Sequence, residues 1–332
     1  MTTPIAINGL GRIGRALLRI AHGGDDLQVV AINDLAPAER LVPLIARDTI
    51  HGRFPGAVEA TAGGVAIDGR EIPVFNQAQP ETVPWGDTDA RVVVEATGKF
   101  LSRETTEGHL QGRVTKVLLS GNAERVDLTI CLGVNDDSYD AARHTVLSAG
   151  SCTTNCLAPV AYLLDREHGI ERALLNTVHS YNNDQRLLEL PHRDPRRARA
   201  AGLNMIPTTT SAVRAVTRVL PQLEGRIDGL AVRVPTPNVS LIDLTVELRQ
   251  PTSTGRLERL FRDAAAGELA GILAASDEQL VSMDFLRDPH SSIVDLPLLQ
   301  VVDGRMCRVI AWYDNEWGHA SRLADLAARL GE

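Results

Sequence analysis

Two residues in this sequence have the type and setting for covalent chemistry. Cys152 stands in Ser151-Cys152-Thr153-Thr154-Asn155-Cys156, after an apolar run over residues 145–150 and before a helical pattern over residues 157–164. That spacing puts a cysteine where a strand turns into a helix. The first N–H groups of a helix lack internal partners and carry partial positive charge, which favours a thiolate, so the setting predicts a thiol that ionises more readily than usual. The same position also suits a small buried thiol at a packed helix start. His179 ends a second apolar stretch, residues 172–178, that reads as a strand. A base for Cys152 and a satisfied strand-end histidine both fit there.

The elements upstream supply a cofactor crevice. Ile5-Ala6-Ile7-Asn8 reads as a buried strand, Gly9-Leu10-Gly11-Arg12-Ile13-Gly14 follows at once, and residues 15–21 have helical spacing. In strand, Gly-x-Gly-x-x-Gly, helix, Gly9 allows the tight turn, Gly11 lets backbone approach a pyrophosphate, and Gly14 lets helix and strand pack closely. A second strand, residues 28–33, ends in Asp34, about twenty residues past Gly14, where dinucleotide folds place their ribose-binding acid. Asp34 would bond the 2′-hydroxyl of NAD and repel the 2′-phosphate of NADP. The remaining reading is a turn aspartate. Residues 65–74 alternate around Asp68-Gly69, a hairpin signal. Apolar strands follow near 91–98, 116–121, 128–135 and 145–150, which describes a mostly parallel sheet with helices on both faces.

After the cysteine the pattern changes. Residues 181–206 form a long, polar, arginine-rich segment, the kind that is functional or at an interface. Strands read from residues 228–234, 240–247 and 306–313, a largely antiparallel set, and the last helix, residues 317–330, is expected to return to the first domain. The fold class is α/β: a Rossmann dinucleotide-binding domain over residues 1–151 and 315–332, and an α+β catalytic domain over 152–314.

Totals bound the alternatives. The 332 residues suit two domains. A net charge of −8 argues against a general nucleic-acid or anionic-membrane surface. Positive charge is nearly all arginine, with lysine only at 99 and 116, which suits recognition of phosphate and carboxylate. Four cysteines in so long a chain make no disulfide framework, and none has metal-ligand spacing, so no metal is expected. No signal peptide or membrane-spanning apolar run is read, and a cytoplasmic enzyme is the expectation.

Several stretches together resemble phosphorylating glyceraldehyde-3-phosphate dehydrogenase, nearly end to end: residues 8–14, Asn33-Asp34, residues 151–159, His179-Ser180-Tyr181, Asn183-Asp184-Gln185, residues 196–201, residues 233–237 and residues 313–318. Ser-Cys-Thr-Thr-Asn-Cys is the most specific of them. The resemblance implies Cys152 as nucleophile and His179 as its base. The thiolate adds to an aldehyde, the hemithioacetal is oxidised to a thioester, and inorganic phosphate releases the product. It implies that Ser151, Thr153, Arg197, Thr210, Ser211 and Arg233 line two anion sites, for the substrate phosphate and for inorganic phosphate. On the cofactor side it implies Arg12, Ile13, Asp34, Ser120 and Asn315, with Asn315 holding the nicotinamide carboxamide. Leu190-Pro191 together with Asp34 resembles the NAD-using members. A homotetramer is implied, with the arginine-rich loop near a neighbour's cofactor site.

Four departures bear on the pocket. The family usually has a phosphate-binding threonine at 182, glycine at 211, arginine at 78 near the adenine and Ala-Pro after Ser120; this chain has Asn182, Ser211, Ala78 and Gly121-Asn122. Asn182 can still donate through its amide. The drift fits a divergent family member or a paralogue for another phosphorylated aldehyde. Erythrose-4-phosphate dehydrogenase departs at 182 and 211 too, but lacks Tyr181 and Leu190-Pro191. A non-catalytic protein that keeps the fold is the third reading, opposed by the presence of both Cys152 and His179.

Overall fold

The structure, a computed structural model, describes residues 2–332. Its contacts divide the chain into two units: Met1–Ile130 with Asp137–Gly150 and Ala320–Glu332, and Cys131–Asp136 with Ser151–His319. Besides the short segment Cys131–Asp136, the cuts fall at Gly150/Ser151 and His319/Ala320, so that residues 315–319 join the second unit.

The first unit carries β1 (Thr3–Asn8), α1 (Arg12–Gly23), β2 (Leu27–Asn33), α2 (Ala38–Ala46), the small pair β3 (Arg47–Asp48) and β4 (Gly52–Arg53), β5 (Val58–Ala60), β6 (Gly64–Ile67), β7 (Arg70–Phe75), β8 (Val92–Glu95), α3 (Arg103–Thr106), β9 (Lys116–Leu119), β10 (Leu128–Thr129) and β11 (Val146–Ser148). Nine strands form one sheet in the order β10-β11-β9-β8-β1-β2-β7-β6-β5. All pairings from β10 to β7 are parallel; β5, β6 and β7 pair antiparallel. Ile5, Ala6, Ile7, Val92, Val93, Val94, Val117, Leu118 and Leu119 are completely buried, as strands covered on both faces must be. The expected hairpin is β6–β7, and its turn takes left-handed backbone at both Asp68 and Gly69 (φ 50° and 79°), the requirement that selects Asp-Gly.

The second unit contains α4 (Cys152–His168), β12 (Ile170–Ser180), β13 (Ile206–Thr208), α5 (Ala212–Val219), β14 (Ile227–Val234), β15 (Ser240–Leu248), α6 (Thr254–Ala266), β16 (Leu273–Ser276), β17 (Ser292–Asp295), β18 (Gln300–Val302), β19 (Met306–Tyr313) and the start of α7 (Trp317–Leu330). Its sheet runs β13-β14-β12-β15-β19-β17-β16, with β18 also on β19. It is mostly antiparallel; β12–β14 and β16–β17 are parallel. Leu157, Val160, Ala161 and Leu164 of α4 are buried in one core with Leu244, Val246, Val309 and Ala311 of the sheet. That packing fixes where the first turn of α4 lies.

Candidate active site

The strand-to-helix turn forms as the sequence implies. Gly150 takes φ 68°, Ser151 caps α4 by accepting a hydrogen bond from the Thr154 N–H at 3.2 Å, and Cys152 is the first helical residue. The next strand, β12, ends with His179 and Ser180. Parallel pairing of β12 with β14 sets His179 beside Arg233.

These elements bring Cys152, His179 and Arg233 together. Cys152 Sγ is 3.5 Å from His179 Nε2. His179 Nδ1 lies 2.7 Å from the Ser180 carbonyl, and Arg233 Nη1 sits against the same imidazole edge, donating to Ser180 O at 3.2 Å. Nδ1 has both an acceptor, the Ser180 carbonyl, and an Arg233 N–H against it, so either tautomer finds a partner there; the one whose Nδ1 proton is donated to Ser180 O leaves Nε2 bare toward the sulfur, the state a base needs. Burial, and then the Arg233 charge, push His179 down to about 3, so the imidazole is neutral at physiological pH. Burial also pushes the Cys152 thiol up, with Arg233 opposing. This differs from the readily ionised thiol expected from the helix start. The helix N-terminus is present, but loss of water around a partly buried sulfur opposes it. Cys152 is therefore a thiol poised beside a neutral base.

The anion residues gather in the same unit. Arg233 Nε is buried with no hydrogen-bond partner, a donor that an anion would satisfy. Thr153 is buried and its hydroxyl meets Tyr313 at 2.9 Å; the same Tyr313 hydroxyl meets Thr177 at 2.9 Å. Arg197 donates to Thr208 Oγ1 at 2.9 Å and to Thr209 O at 3.1 Å, and pairs with Asp184 and with Asp194, the latter at 3.6 Å. It is fastened within the loop. Thr210 Oγ1 accepts from Ala212 N at 3.1 Å, and Ser211 precedes α5. Asn182 Oδ1 accepts from Asp184 N at 3.1 Å, so its carbonyl serves the loop and only its N–H₂ remains to offer a ligand. Asn315 is similarly oriented. Its Oδ1 accepts from both Ser180 Oγ and Ser240 Oγ at 2.9 Å, which presents the amide nitrogen. Sequence reasoning gave no part to Ser240, Tyr313, Asp184, Asp194 or Thr208, whose contacts are set by the folded loop and by pairing across the sheet.

The first unit has a cleft at the carboxyl ends of its parallel strands, lined by Asn8, Gly9, Gly11, Asp34, Ala78 and Thr97 among others. The glycines fit a dinucleotide. A side chain at Gly14 would strike the Gly9 carbonyl at 2.1 Å, whereas Gly11 has nothing within 4 Å, leaving the α1 terminus open to a phosphate. Asp34 Oδ2 accepts from Leu10 N at 2.8 Å and Oδ1 from Ala36 N at 2.9 Å, which aims the carboxylate. Arg12 pairs with Asp48, Ile13 is half-buried in α1, and Ser120 N donates to the Glu95 carbonyl at 2.9 Å. Among the described residues, no group of three His, Cys, Asp or Glu side chains could hold a metal ion, and no helix is long and apolar enough to cross a membrane.

Comparison with known proteins settles the lineage. Residues 3–103 match the NAD binding domain of glyceraldehyde 3-phosphate dehydrogenase and residues 151–315 match its C-terminal domain. The chain belongs to the glyceraldehyde-3-phosphate dehydrogenase family. A relative from Bacillus cereus, named glyceraldehyde-3-phosphate dehydrogenase 1, is 48% identical over 99% of this chain and 98% of its own length. The Geobacillus stearothermophilus glyceraldehyde-3-phosphate dehydrogenase is 47% identical over the same shares, and glyceraldehyde-3-phosphate dehydrogenase 2 of Streptomyces avermitilis is 45% identical over 100% of this chain and 99% of that one. Family membership makes NAD the cofactor and the cleft beside Asp34 its candidate seat.

Proposed function

We infer that this chain is an NAD-dependent oxidoreductase that converts glyceraldehyde 3-phosphate and inorganic phosphate to 1,3-bisphosphoglycerate through a thioester on Cys152. The observation that carries this reading is the approach of Cys152 Sγ to His179 Nε2 at 3.5 Å beside Arg233.

The Cys152 thiol gives its proton to Nε2 as sulfur adds to the aldehyde carbon, and the imidazolium returns the proton to the new alkoxide. The N–H at the start of α4 and His179 stabilise charge on that oxygen. When bound, NAD supplies the hydride acceptor that takes the hemithioacetal to the thioester oxidation level. His179 takes the hydroxyl proton in that step. A phosphate oxygen then attacks the thioester carbon, the C–S bond breaks, and the departing sulfur recovers its proton from His179. Arg233 binds the anions through its buried guanidinium, with Ser151, Thr153, Asn182, Arg197, Thr210 and Ser211 completing the two phosphate subsites. Gly9, Gly11, Arg12, Ile13, Gly14, Asp34, Ser120 and Asn315 would hold the dinucleotide, and the amide nitrogen of Asn315 suits a carboxamide oxygen.

The protein works as a homotetramer in the cytoplasm. Leu187 and Leu203 in the arginine-rich loop are 85% and 81% exposed, with Leu188, Leu190 and Met205 beside them, an apolar surface that a second copy would cover. All four cysteines are free thiols, in keeping with a reducing compartment. Purified protein given glyceraldehyde 3-phosphate, phosphate and NAD should form NADH, and Cys152→Ala should abolish it. Turnover retained by that variant would sink the mechanism.

A further inference from the structure

Beneath the cleft at the strand ends lies a buried polar cluster that the proposed chemistry does not use. Glu95 is 2% exposed and His109 is completely buried. Four donors converge on the Glu95 carboxylate. Oε1 accepts from Thr97 N at 2.8 Å and from the Thr97 hydroxyl; Oε2 accepts from Asn8 Nδ2 at 2.5 Å and faces His109 Nε2 at 3.2 Å. The tautomer of His109 follows from its other edge. Trp85 Nε1, which can only donate, points at His109 Nδ1 at 2.8 Å, so Nδ1 is bare and Nε2 carries the proton toward Glu95. A carboxylate has about four lone-pair sites, and four donors fill them. The Glu95 carboxyl thus has its acceptor sites filled by protein donors alone.

The cluster also runs across the sheet. Asn8 Oδ1 accepts from Asn33 Nδ2 at 2.7 Å, Asn33 Nδ2 also donates to Gln77 O at 3.0 Å, and Asn33 Oδ1 accepts from Gln77 N at 2.9 Å. Glu95, Asn8 and Asn33 are the last residues of β8, β1 and β2, and Gln77 lies two past the end of β7. Those four strands are neighbours in the order β8-β1-β2-β7. Asn8, Asn33, Gln77 and Thr97 all line the cleft. One hydrogen-bond network, reaching from Glu95 through Asn8 and Asn33 to Gln77, therefore joins the four strand ends that form its walls.

We propose that Glu95, buttressed by His109 and Trp85, is a positioning residue for the dinucleotide: it sets the spacing of the four strand ends that grip the cofactor, and acts on binding rather than on the chemistry at Cys152. This rests on the NAD reading above. Glu95→Gln replaces one acceptor with an N–H₂ that must face Asn8 Nδ2, His109 Nε2–H or the Thr97 donors, leaving buried donors opposed. Leaving buried donors unpaired predicts NAD binding weakened by about fivefold or more.

The experiment measures NAD Kd, KM for NAD, kcat at saturating NAD, and the alkylation rate of Cys152 without NAD, in wild type, Glu95→Gln and the milder Trp85→Phe. The proposal expects Kd and KM for NAD to rise together by at least about fivefold in Glu95→Gln, with kcat and alkylation changed by less than about twofold. Trp85→Phe, which removes the hydrogen bond that fixes the tautomer, should move Kd in the same direction with kcat unchanged. If Glu95→Gln does not fold, the Trp85→Phe result decides. A Kd rise below these bounds in a folded variant, or a thermal midpoint that drops while Kd holds, overturns the proposal and leaves the cluster as a fold element. Wild type that fails to bind NAD would overturn the functional reading itself, a distinct outcome.

Discussion

His179 Nε2 faces Cys152 Sγ at 3.5 Å, and the Arg233 guanidinium rests on the opposite edge of the same ring. Burial, and then this cation, keeps the imidazole neutral, while the same cation opposes the burial that raises the thiol, so one charge acts on both members of the pair.

This gives opposite pH behaviours for the two groups. The thiol pKa is raised above its ordinary value of 9.0, so the alkylation rate of Cys152 in the free protein should still be climbing beyond pH 9.0. Arg233→Met should move that rise to higher pH and slow alkylation at neutral pH. It should also cut kcat/KM by about tenfold to a hundredfold, the cost of losing a charged hydrogen-bond donor. An alkylation profile that levels off below the ordinary thiol value would contradict the account.

Stability should carry the mark of His179. Its folded pKa is about 3 against an ordinary 6.5, so the unfolded chain binds the extra proton between those values. Stability is then unaffected by this group above pH 6.5 and falls as pH drops from there toward about 3. In His179→Asn, the dependence of unfolding free energy on pH should be shallower across that window. Denaturant midpoints measured from pH 7 down to about 4 test the sign.

Much of this site is legible in the sequence because its local signals are strong. Gly150 and Ser151 make the turn into α4, His179 ends a strand, and the glycines at 9, 11 and 14 with Asp34 mark a cofactor cleft. The ionisation of Cys152 was not legible, because burial depends on everything packed around the sulfur and opposes the local helix effect. Nor was the fastening of Arg197 by Asp184 and Asp194, or the orientation of Asn315 by Ser180 and Ser240, since each joins residues remote in sequence or set by loop geometry.

Cofactor choice should depend on Asp34. Both its oxygens are aimed by backbone amides, so the carboxylate has a fixed direction. Asp34→Ala should lower the ratio of kcat/KM for NAD to that for NADP by about tenfold, because it removes both a ribose acceptor and a charge that repels the 2′-phosphate. An unchanged ratio would count against the ribose role.

Substrate choice should follow the three-carbon aldehyde. Asn182 keeps an N–H₂ donor even though its oxygen serves the Asp184 turn. Comparison of kcat/KM should show erythrose 4-phosphate at least about tenfold poorer than glyceraldehyde 3-phosphate, a difference on the order of one misplaced hydrogen bond. Comparable values would favour the paralogue reading.

The most direct test of the thioester is a single turnover without phosphate. Enzyme mixed with glyceraldehyde 3-phosphate and NAD should release NADH in a burst equal to the number of active sites, leave an acyl group on the Cys152 peptide by mass spectrometry, and resume turnover when phosphate is added. Steady NADH formation with no burst, or an acyl group found on any residue other than Cys152, would contradict it.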